Sequence, residues 1–363
     1  MTPPSQRPDW VPPDAGAEFA TRVVAGTPAP AVPPSVVKRR APDDVSALAA
    51  AIRAGNRVAL ARGITLIESR AAAHRALADE LLHALSPDSG GAVRVGITGP
   101  PGAGKSTFID TLGTQLCQAG KRVAVLSVDP SSPITHGSIL GDKARMESLS
   151  RQPNAFIRPS PSGCELGGVA RRTRETIVLC EAAGFEVVIV ETVGVGQSEV
   201  LVRGMVDCFL VLLIAGAGDE LQGIKKGIIE LADVLTVNKA DGDNRVRAEA
   251  ARNELVRALH YLSSPEGAWE VPVLTCSAAT SEGVGDVWRA VERYMNHMRQ
   301  CGAFDARRRA QALDWLDALV LEGLRELFAA HPQVAALRRE LEHQVAAGLV
   351  PAPSAAKQLL AAL

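Results

Sequence analysis

The sequence predicts an α/β fold, in which a mostly parallel β-sheet is flanked by helices. From residue 93 onward, short apolar runs alternate with stretches of helical periodicity, as in a sheet whose strands are joined by crossover helices. The runs are rich in β-branched residues, which suits strands that are buried on both faces. They are VRVGIT, RVAVLSVD, EVVIVET, CFLVLLIAG, VLTVNKAD and VPVLTCSAA. Most of them end in residues that can do chemistry, at the edge where open α/β sheets bind ligands.

Changes in composition and periodicity divide the chain into four segments. Residues 1–44 hold ten of the 23 prolines, which predicts a disordered or extended tail. Residues 45–92 predict a helical extension, and residues 93–297 form the sheet domain. Residues 298–363 predict a helical arm, whose apolar side chains recur on one helical face. We call this face the arm stripe and expect it to pair with a second subunit; its residues are Leu313, Leu316, Val320, Leu324 and Leu327.

The overall composition disfavours several classes of protein. Charged residues make up 22% of the chain and the net charge is −1, so there is no basic excess for nucleic acid. No apolar run approaches the roughly 20 residues of a membrane span, and no signal-peptide core is present. We therefore expect a cytoplasmic protein, or one of the mitochondrial matrix if the source is eukaryotic. The six cysteines and seven histidines are scattered, which predicts reduced thiols and no transition-metal site.

The first motif of the predicted sheet domain is a phosphate-binding loop, which we call the phosphate loop. GPPGAGKST, at residues 99–107, matches G-x-x-x-x-G-K-[ST] and directly follows a predicted strand. Its glycines let backbone N–H groups approach phosphates, with a helix amino terminus behind them. We expect Lys105 to reach the β- and γ-phosphates and Ser106 to hold Mg²⁺ through its hydroxyl. The predicted phosphate-binding residues are Gly99, Pro100, Pro101, Gly102, Ala103, Gly104, Lys105, Ser106 and Thr107.

A second motif, NKAD at residues 238–241, predicts a guanine site. Asp241 can accept two hydrogen bonds from the ring N–H and the amine of guanine, and adenine offers no matching donors. Lys239 can lie along the base with its aliphatic stem, and backbone N–H groups after the next strand can reach the guanine oxygen. The predicted base-binding residues are Asn238, Lys239, Asp241, Ser277, Ala278 and Ala279.

The stretch ETVGVGQ, residues 191–197, lies between these two motifs. Glu191 occupies the place of a carboxylate that supports Mg²⁺, acting either through a water or by polarising the attacking water. The N–H of Gly194 is the predicted sensor of the γ-phosphate. Val195 stands where fast GTPases carry a water-orienting glutamine, and Gln197 lies two positions on. The sequence therefore predicts slow intrinsic hydrolysis that needs help.

Two further acids flank a polar loop between the phosphate loop and Glu191. We expect Asp129 and Asp142 to lie near Mg²⁺, although Asp129 can also be a turn former before Pro130 and Asp142 a surface helix cap. The predicted catalytic residues are Lys105, Asp129, Asp142 and Glu191. The predicted metal-binding residues are Ser106, Asp129, Asp142 and Glu191.

Several long stretches resemble the MeaB/ArgK family of GTPases. GSILGDKARM, LGGVARRTRE, ETVGVGQSE and AGAGDELQGIKKGI carry the resemblance, which covers about residues 45–363. It implies a P-loop GTPase of the metallochaperone branch that uses Mg²⁺ with GTP or GDP and dimerises through its arm. It also implies a client enzyme, a cobalamin-dependent acyl-CoA mutase of the methylmalonyl-CoA mutase type. The GTPase then protects or reactivates this mutase and gates the loading of its adenosylcobalamin. The cofactor is then held by the mutase, and an adenosyltransferase is a further partner.

The resemblance also implies three switches. Asp129 and Asp142 become the acids of the first switch, and residues 191–197 become the second. Residues 214–225 become the third switch, which signals to the mutase. Its signalling residues are Asp219, Glu220, Gln222 and Lys225. One departure from the family is Cys164, where a smaller or hydroxyl residue is expected. Two alternatives stay open: a metallochaperone for another metalloenzyme, which the lack of a His tract disfavours, and a protein kinase acting on a transport-binding protein. The kinase lacks a recognisable base for a substrate hydroxyl.

Overall fold

Seven parallel strands, in the part of the chain that the structure describes, form one sheet. The computed structural model describes residues 44–69, 71–128, 146–159, 166–192, 198–215, 226–260 and 269–363. The strands are β1 (Val93–Thr98), β2 (Val123–Val128), β3 (Ala155–Arg158), β4 (Val187–Thr192), β5 (Cys208–Ile214), β6 (Val234–Asn238) and β7 (Val273–Thr275). Their order is β3-β2-β4-β1-β5-β6-β7, and every neighbouring pair is parallel. The predicted α/β fold is confirmed.

Strand β3 is the strand that the apolar runs did not predict. It has four residues, AFIR, and lies at the edge of the sheet beside β2. Four residues are too few for strand or helix periodicity to be distinguished. The other six strands coincide with the six predicted runs.

Helices cover both faces of the sheet. They are α1 (Val45–Arg53), α2 (Arg57–Glu68), α3 (Ala72–Leu85), α4 (Lys105–Gln118), α5 (Glu147–Ser150), α6 (Leu166–Ala182), α7 (Ser198–Arg203), α8 (Lys226–Leu231), α9 (Arg245–His260), α10 (Val284–Gln300), α11 (Ala303–Ala330), α12 (Pro332–Ala346) and α13 (Ala352–Ala361). Helices α1, α2, α3, α6 and α7 bury apolar side chains in a core on one face, which we call the first core. Helices α4, α5 and α10 do so in the second core, on the other face.

Alternation along the strands divides their side chains between the two cores. In β4, Val188 and Val190 belong to the first core and Ile189 belongs to the second. Since side chains of a strand alternate between faces, Glu191 shares its face with Ile189 and α4. Thr192 shares the opposite face with Val190.

The predicted helical extension consists of α1, α2 and α3. Asp44 caps α1, because its Oδ1 accepts from the N–H of Ala47 at 3.0 Å. Asn56 caps α2 by accepting from the N–H groups of Val58 and Ala59, at 3.0 and 3.1 Å. These caps satisfy helix donors that would otherwise lack partners.

The predicted arm consists of α11, α12 and α13. Its first helix is 28 residues long and is anchored near its start. Arg308 makes a two-point ion pair with Asp207, the residue before β5, at 2.8 and 2.7 Å. Gln311 Nε2 donates to the carbonyl of Val206 at 2.9 Å. The arm stripe beyond this anchor is between 52% and 69% exposed, so the described residues of the sheet domain do not cover it.

None of the described helices combines the length and the apolarity that crossing a membrane requires.

Candidate nucleotide-binding site

The predicted site residues that the structure describes lie at the carboxyl ends of neighbouring strands. The phosphate loop follows β1, which has β4 on one side and β5 on the other. Glu191 lies near the end of β4, and Asn238 ends β6. Because all of these strands are parallel, their carboxyl ends share one edge of the sheet, where α/β proteins bind ligands. The structure thus brings the phosphate loop, Glu191 and Asn238 to the same edge.

Two glycines of the phosphate loop occupy positions that no other residue fits. Gly99 has φ 150°, and a Cβ there would lie 2.0 Å from the carbonyl oxygen of Leu212. Gly104 has φ 82°, and its Cβ would lie 2.7 Å from Nδ2 of Asn238. Helix α4 begins at the next residue, Lys105, so its amino-terminal N–H groups face the loop. This is the strand, glycine-rich loop and helix arrangement that binds phosphate.

The side chain of Lys105 lies back across the loop. It is 8% exposed, and its Nζ donates to the carbonyls of Gly99 at 2.7 Å and Pro100 at 3.2 Å. Burial lowers the pKa of Lys105, while the carboxylates of Glu191 and Glu199 oppose this shift by favouring the ammonium. Two neutral carbonyls therefore hold a cation beside the loop, and phosphate oxygens are stronger acceptors that can replace them.

Ser106 and Glu191 meet although 85 positions separate them in the sequence. Ser106 Oγ donates to Oε1 of Glu191 at 2.9 Å, and Glu191 is 7% exposed. A hydroxyl and a carboxylate are the oxygen donors that Mg²⁺ prefers. The donor set therefore fits the predicted metal. Asp129 and Asp142, the other two predicted metal-binding residues, lie outside the described residues.

Asn238 joins the phosphate loop to the loop after β7. It is 1% exposed, its Nδ2 donates to the carbonyl of Ala103 at 2.8 Å, and its Oδ1 accepts from the N–H of Ala278 at 3.0 Å. Sequence reasoning placed Asn238 in the base motif without foreseeing that it connects two loops. The four-residue motif identifies Asn238 but carries no information about its two partners, because they are 135 and 40 positions away.

Lys239, in the NKAD motif, has an unusual backbone conformation. Its φ is 60°, a left-handed conformation that is uncommon for a residue with a side chain. Its carbonyl accepts from Nδ2 of Asn244 at 2.7 Å, and the carbonyl of Asp241 accepts from the N–H of Asn244 at 3.1 Å. One asparagine thus stabilises the turn that carries both predicted base-binding side chains. Outliers of this kind cluster at binding sites.

The loop after β7 offers fewer backbone donors to a base than the sequence predicts. The N–H of Ser277 donates to the carbonyl of Glu282 at 2.9 Å, and that of Ala278 is bonded to Asn238. Two of the three predicted donors are therefore engaged within the protein. The role of Ala279, the third predicted donor, stays a prediction.

The remaining predicted switch residues lie outside the described residues. They are Gly194, Asp219, Glu220, Gln222 and Lys225, together with Val195, Gln197 and the loop residue Cys164. Their roles stay predictions.

One feature of this edge was missed by sequence reasoning. Thr192 Oγ1 donates to Oγ1 of Thr98 at 2.7 Å, and both residues are completely buried. Each threonine directly adjoins a predicted site residue, Gly99 or Glu191. A threonine at the end of an apolar run is common in strands, so no sequence signal marks this contact.

Comparisons with known proteins identify related GTPases. The family described as methylmalonyl Co-A mutase-associated GTPase MeaB matches residues 60–333. A putative GTPase of Caulobacter vibrioides is 56% identical over 319 residues, which cover 88% of this chain and 98% of the relative. The mitochondrial methylmalonic aciduria type A homolog of Mus musculus is 43% identical over 318 residues, or 85% of this chain and 77% of that protein.

A solved structure shows the same similarity in three dimensions. The crystal structure of a LAO/AO transport system kinase superposes with a TM-score of 0.69 and 39% sequence identity. The match covers 87% of this chain and 96% of that chain. The similarity therefore includes the sheet domain as a whole and is not limited to the phosphate loop.

Proposed function

Because the chain belongs to the MeaB family of methylmalonyl-CoA mutase-associated GTPases, we propose that it is a GTP-hydrolysing chaperone of a cobalamin-dependent acyl-CoA mutase. In this role it binds a mutase of the methylmalonyl-CoA mutase type, gates the loading of adenosylcobalamin, and protects or reactivates the enzyme. The printed name of the mouse relative, which refers to methylmalonic aciduria, supports this client. The observation that carries the hydrolytic part is the Ser106–Glu191 hydrogen bond beside the phosphate loop.

Nucleotide binding uses groups that the fold already holds in place. The amino terminus of α4 and the loop N–H groups surround the phosphates, and Lys105 exchanges its two carbonyl partners for phosphate oxygens. Asp241 accepts the two guanine donors, and Lys239 lies along the base. The Asn238 bridge maintains the distance between the phosphate and base subsites.

The metal subsite completes the phosphate site. Ser106 and Glu191 would hold Mg²⁺ together with Asp129 and Asp142 from the first switch, with Glu191 acting either through a water or by polarising the attacking water. A Mg²⁺ ion held by these residues would supply charge neutralisation for the phosphates during hydrolysis. The hydroxyl proton of Ser106 keeps Glu191 oriented toward the loop until nucleotide arrives.

Hydrolysis by the isolated chain is slow in this proposal. Val195 cannot orient water, so the missing element is completed when the mutase docks and reorders residues 214–225. Asp219, Glu220, Gln222 and Lys225 carry the signal between the two proteins. Slow GTP hydrolysis that a partner accelerates suits a protein that controls cofactor loading better than it suits a metabolic enzyme.

The proposed chaperone is a homodimer. The arm stripe supports this, because five large apolar side chains lie exposed along one helix. Exposed apolar surface of this extent is typical of protein–protein interfaces.

Phosphate release from the full-length chain tests the proposal. With Mg²⁺ and GTP we expect slow release that methylmalonyl-CoA mutase accelerates, no release from ATP, and no transfer of γ-phosphate label to protein. Lys105→Ala should abolish release. Lys121→Ala is the matched control, because this exposed lysine lies before β2 at the opposite edge and pairs with Glu186. Equal release from ATP would contradict the guanine site, and label on a protein would favour the kinase alternative.

A further inference from the structure

The buried hydrogen bond between Thr98 and Thr192, which we call the threonine pair, lies where the sheet meets the candidate site. Thr98 is the last residue of β1 and adjoins Gly99, whose carbonyl holds Lys105. Thr192 is the last residue of β4 and adjoins Glu191, whose carboxylate holds Ser106. The pair thus connects the chain segments that carry the phosphate loop and the metal-binding carboxylate.

Backbone pairing between β1 and β4 stops one residue before the threonine pair. The β1–β4 ladder ends at Ile97 and Glu191. One residue further, Thr98 pairs with Val211 of β5, and Thr192 pairs with Val128 of β2. At that level each of the two strands keeps a registered backbone partner only in its other neighbour, β5 for β1 and β2 for β4. The side-chain hydrogen bond of 2.7 Å therefore extends the connection between β1 and β4 to the last residue of each strand.

The threonine pair lies on the face of the sheet opposite to Glu191 and α4. A Cβ on Gly96 would contact Val202 and Val206, so Gly96 and, two residues on, Thr98 face the first core. Glu191 faces the second core and α4. Both threonines are completely buried on the face of the first core. Any effect of the pair on the site must pass through the strand ends.

We propose that the threonine pair positions Glu191 relative to the phosphate loop and thereby determines the affinity for Mg²⁺. This inference rests on the proposed nucleotide and metal site. Mg²⁺ requires nearly ideal octahedral geometry with oxygens at about 2.0–2.1 Å, so a small displacement of one ligand-bearing strand weakens binding. The base loops and the amino terminus of α4, which supply the guanine contacts and part of the phosphate contacts, do not adjoin the pair. Loss of the pair therefore affects Mg²⁺ more than it affects nucleotide.

Thr192→Val removes the donor hydroxyl while keeping a β-branched side chain. Thr236→Val is the matched control, because Thr236 is also completely buried in a strand of the same sheet, and its hydroxyl has no hydrogen-bond partner among the described residues. Thr192→Ser keeps the hydroxyl and should rescue the site. Thr98→Val removes the acceptor and should reproduce Thr192→Val.

Two titrations of full-length protein separate the metal from the nucleotide. The first titration measures the affinity for a fluorescent GDP in EDTA. In the second, GTP affinity is measured at increasing Mg²⁺ concentrations. Its midpoint is the Mg²⁺ concentration that gives half of the maximal increase in GTP affinity. For Thr192→Val and Thr98→Val we expect unchanged GDP affinity in EDTA and a rise of roughly three- to tenfold in the Mg²⁺ midpoint, as one lost neutral hydrogen bond implies. Thr192→Ser and Thr236→Val should match the parent.

Several outcomes would overturn the inference. A parental Mg²⁺ midpoint in Thr192→Val, or an equal shift in Thr236→Val, would show that the pair does not position the site. If both valine variants of the pair fail to fold while Thr236→Val folds, the pair holds the fold and not the metal site. If the parent itself binds no GTP, or binds it without regard to Mg²⁺, the proposed function fails first.

Discussion

Asn238→Ala should weaken both the protein and its nucleotide site, because Asn238 bridges two loops from a buried position. The change removes the hydrogen bond to Ala103 at 2.8 Å and the one from Ala278 at 3.0 Å. It leaves a carbonyl and an N–H without their partner where Asn238 itself is 1% exposed. Each buried polar group left unpaired costs about 1–3 kcal/mol. We therefore expect the free energy of unfolding to fall by about 2–5 kcal/mol.

The nucleotide site should respond in the same variant. The two loops that Asn238 joins bear the phosphate and base subsites, so their separation is no longer held. A loss of about 1.4 kcal/mol in the free energy of nucleotide binding already corresponds to tenfold weaker binding. We expect at least tenfold weaker binding of fluorescent GDP by whatever fraction remains folded.

Asn244→Ala provides the matched control for this prediction. Asn244 makes one side-chain hydrogen bond, from Nδ2 to the carbonyl of Lys239, at a more exposed position. Since solvent can replace the lost partner, we expect the free energy of unfolding to fall by less than about 1 kcal/mol. Urea unfolding and GDP titration of both variants measure the difference. Equal losses in the two variants would refute the bridging role of Asn238.

Three further predictions concern the base, the arm and the signalling loop. Asp241→Asn removes a charged acceptor worth about 1.5–3 kcal/mol, so GTP should bind at least about tenfold more weakly and xanthosine triphosphate should be preferred; unchanged GTP affinity in a titration would contradict this assignment. Leu316→Asp with Val320→Asp should yield monomers in light scattering that still bind GTP, since both side chains are more than half exposed; unfolding instead would mean that they pack within their own chain. Lys225→Ala should leave basal phosphate release nearly unchanged and abolish stimulation by the mutase, and equal fold-stimulation in stopped-flow assays would remove Lys225 from signalling.

The nucleotide motifs were predictable because each is local in the sequence. The glycines at 99 and 104 are required by backbone conformation and close approach within one short loop, so the pattern alone identifies them. The six predicted strands were recognisable for a related reason. Burial on both faces demands continuous β-branched runs, and such runs are visible without knowledge of their neighbours.

Other features could not be predicted because they depend on distant partners. The edge strand β3 has four residues and gains its identity from pairing with β2. The exposure of the arm stripe depends on where the arm is anchored, and Arg308 reaches Asp207 across 101 positions. Helical periodicity predicted that the stripe exists, but it could not show which surface covers it.

The sequence by itself determined the α/β class, the phosphate loop, the guanine motif and the family, because these depend on residue order over short stretches. The tertiary structure decided which groups meet. It placed Ser106 against Glu191, Asn238 between two loops, and Thr98 against Thr192. Parallel strands bring chain segments that are far apart in sequence to one edge, and the sheet order alone determines which ends become neighbours. Short-range patterns carry no information about that order, so the contacts that shape the site appear only in the folded chain.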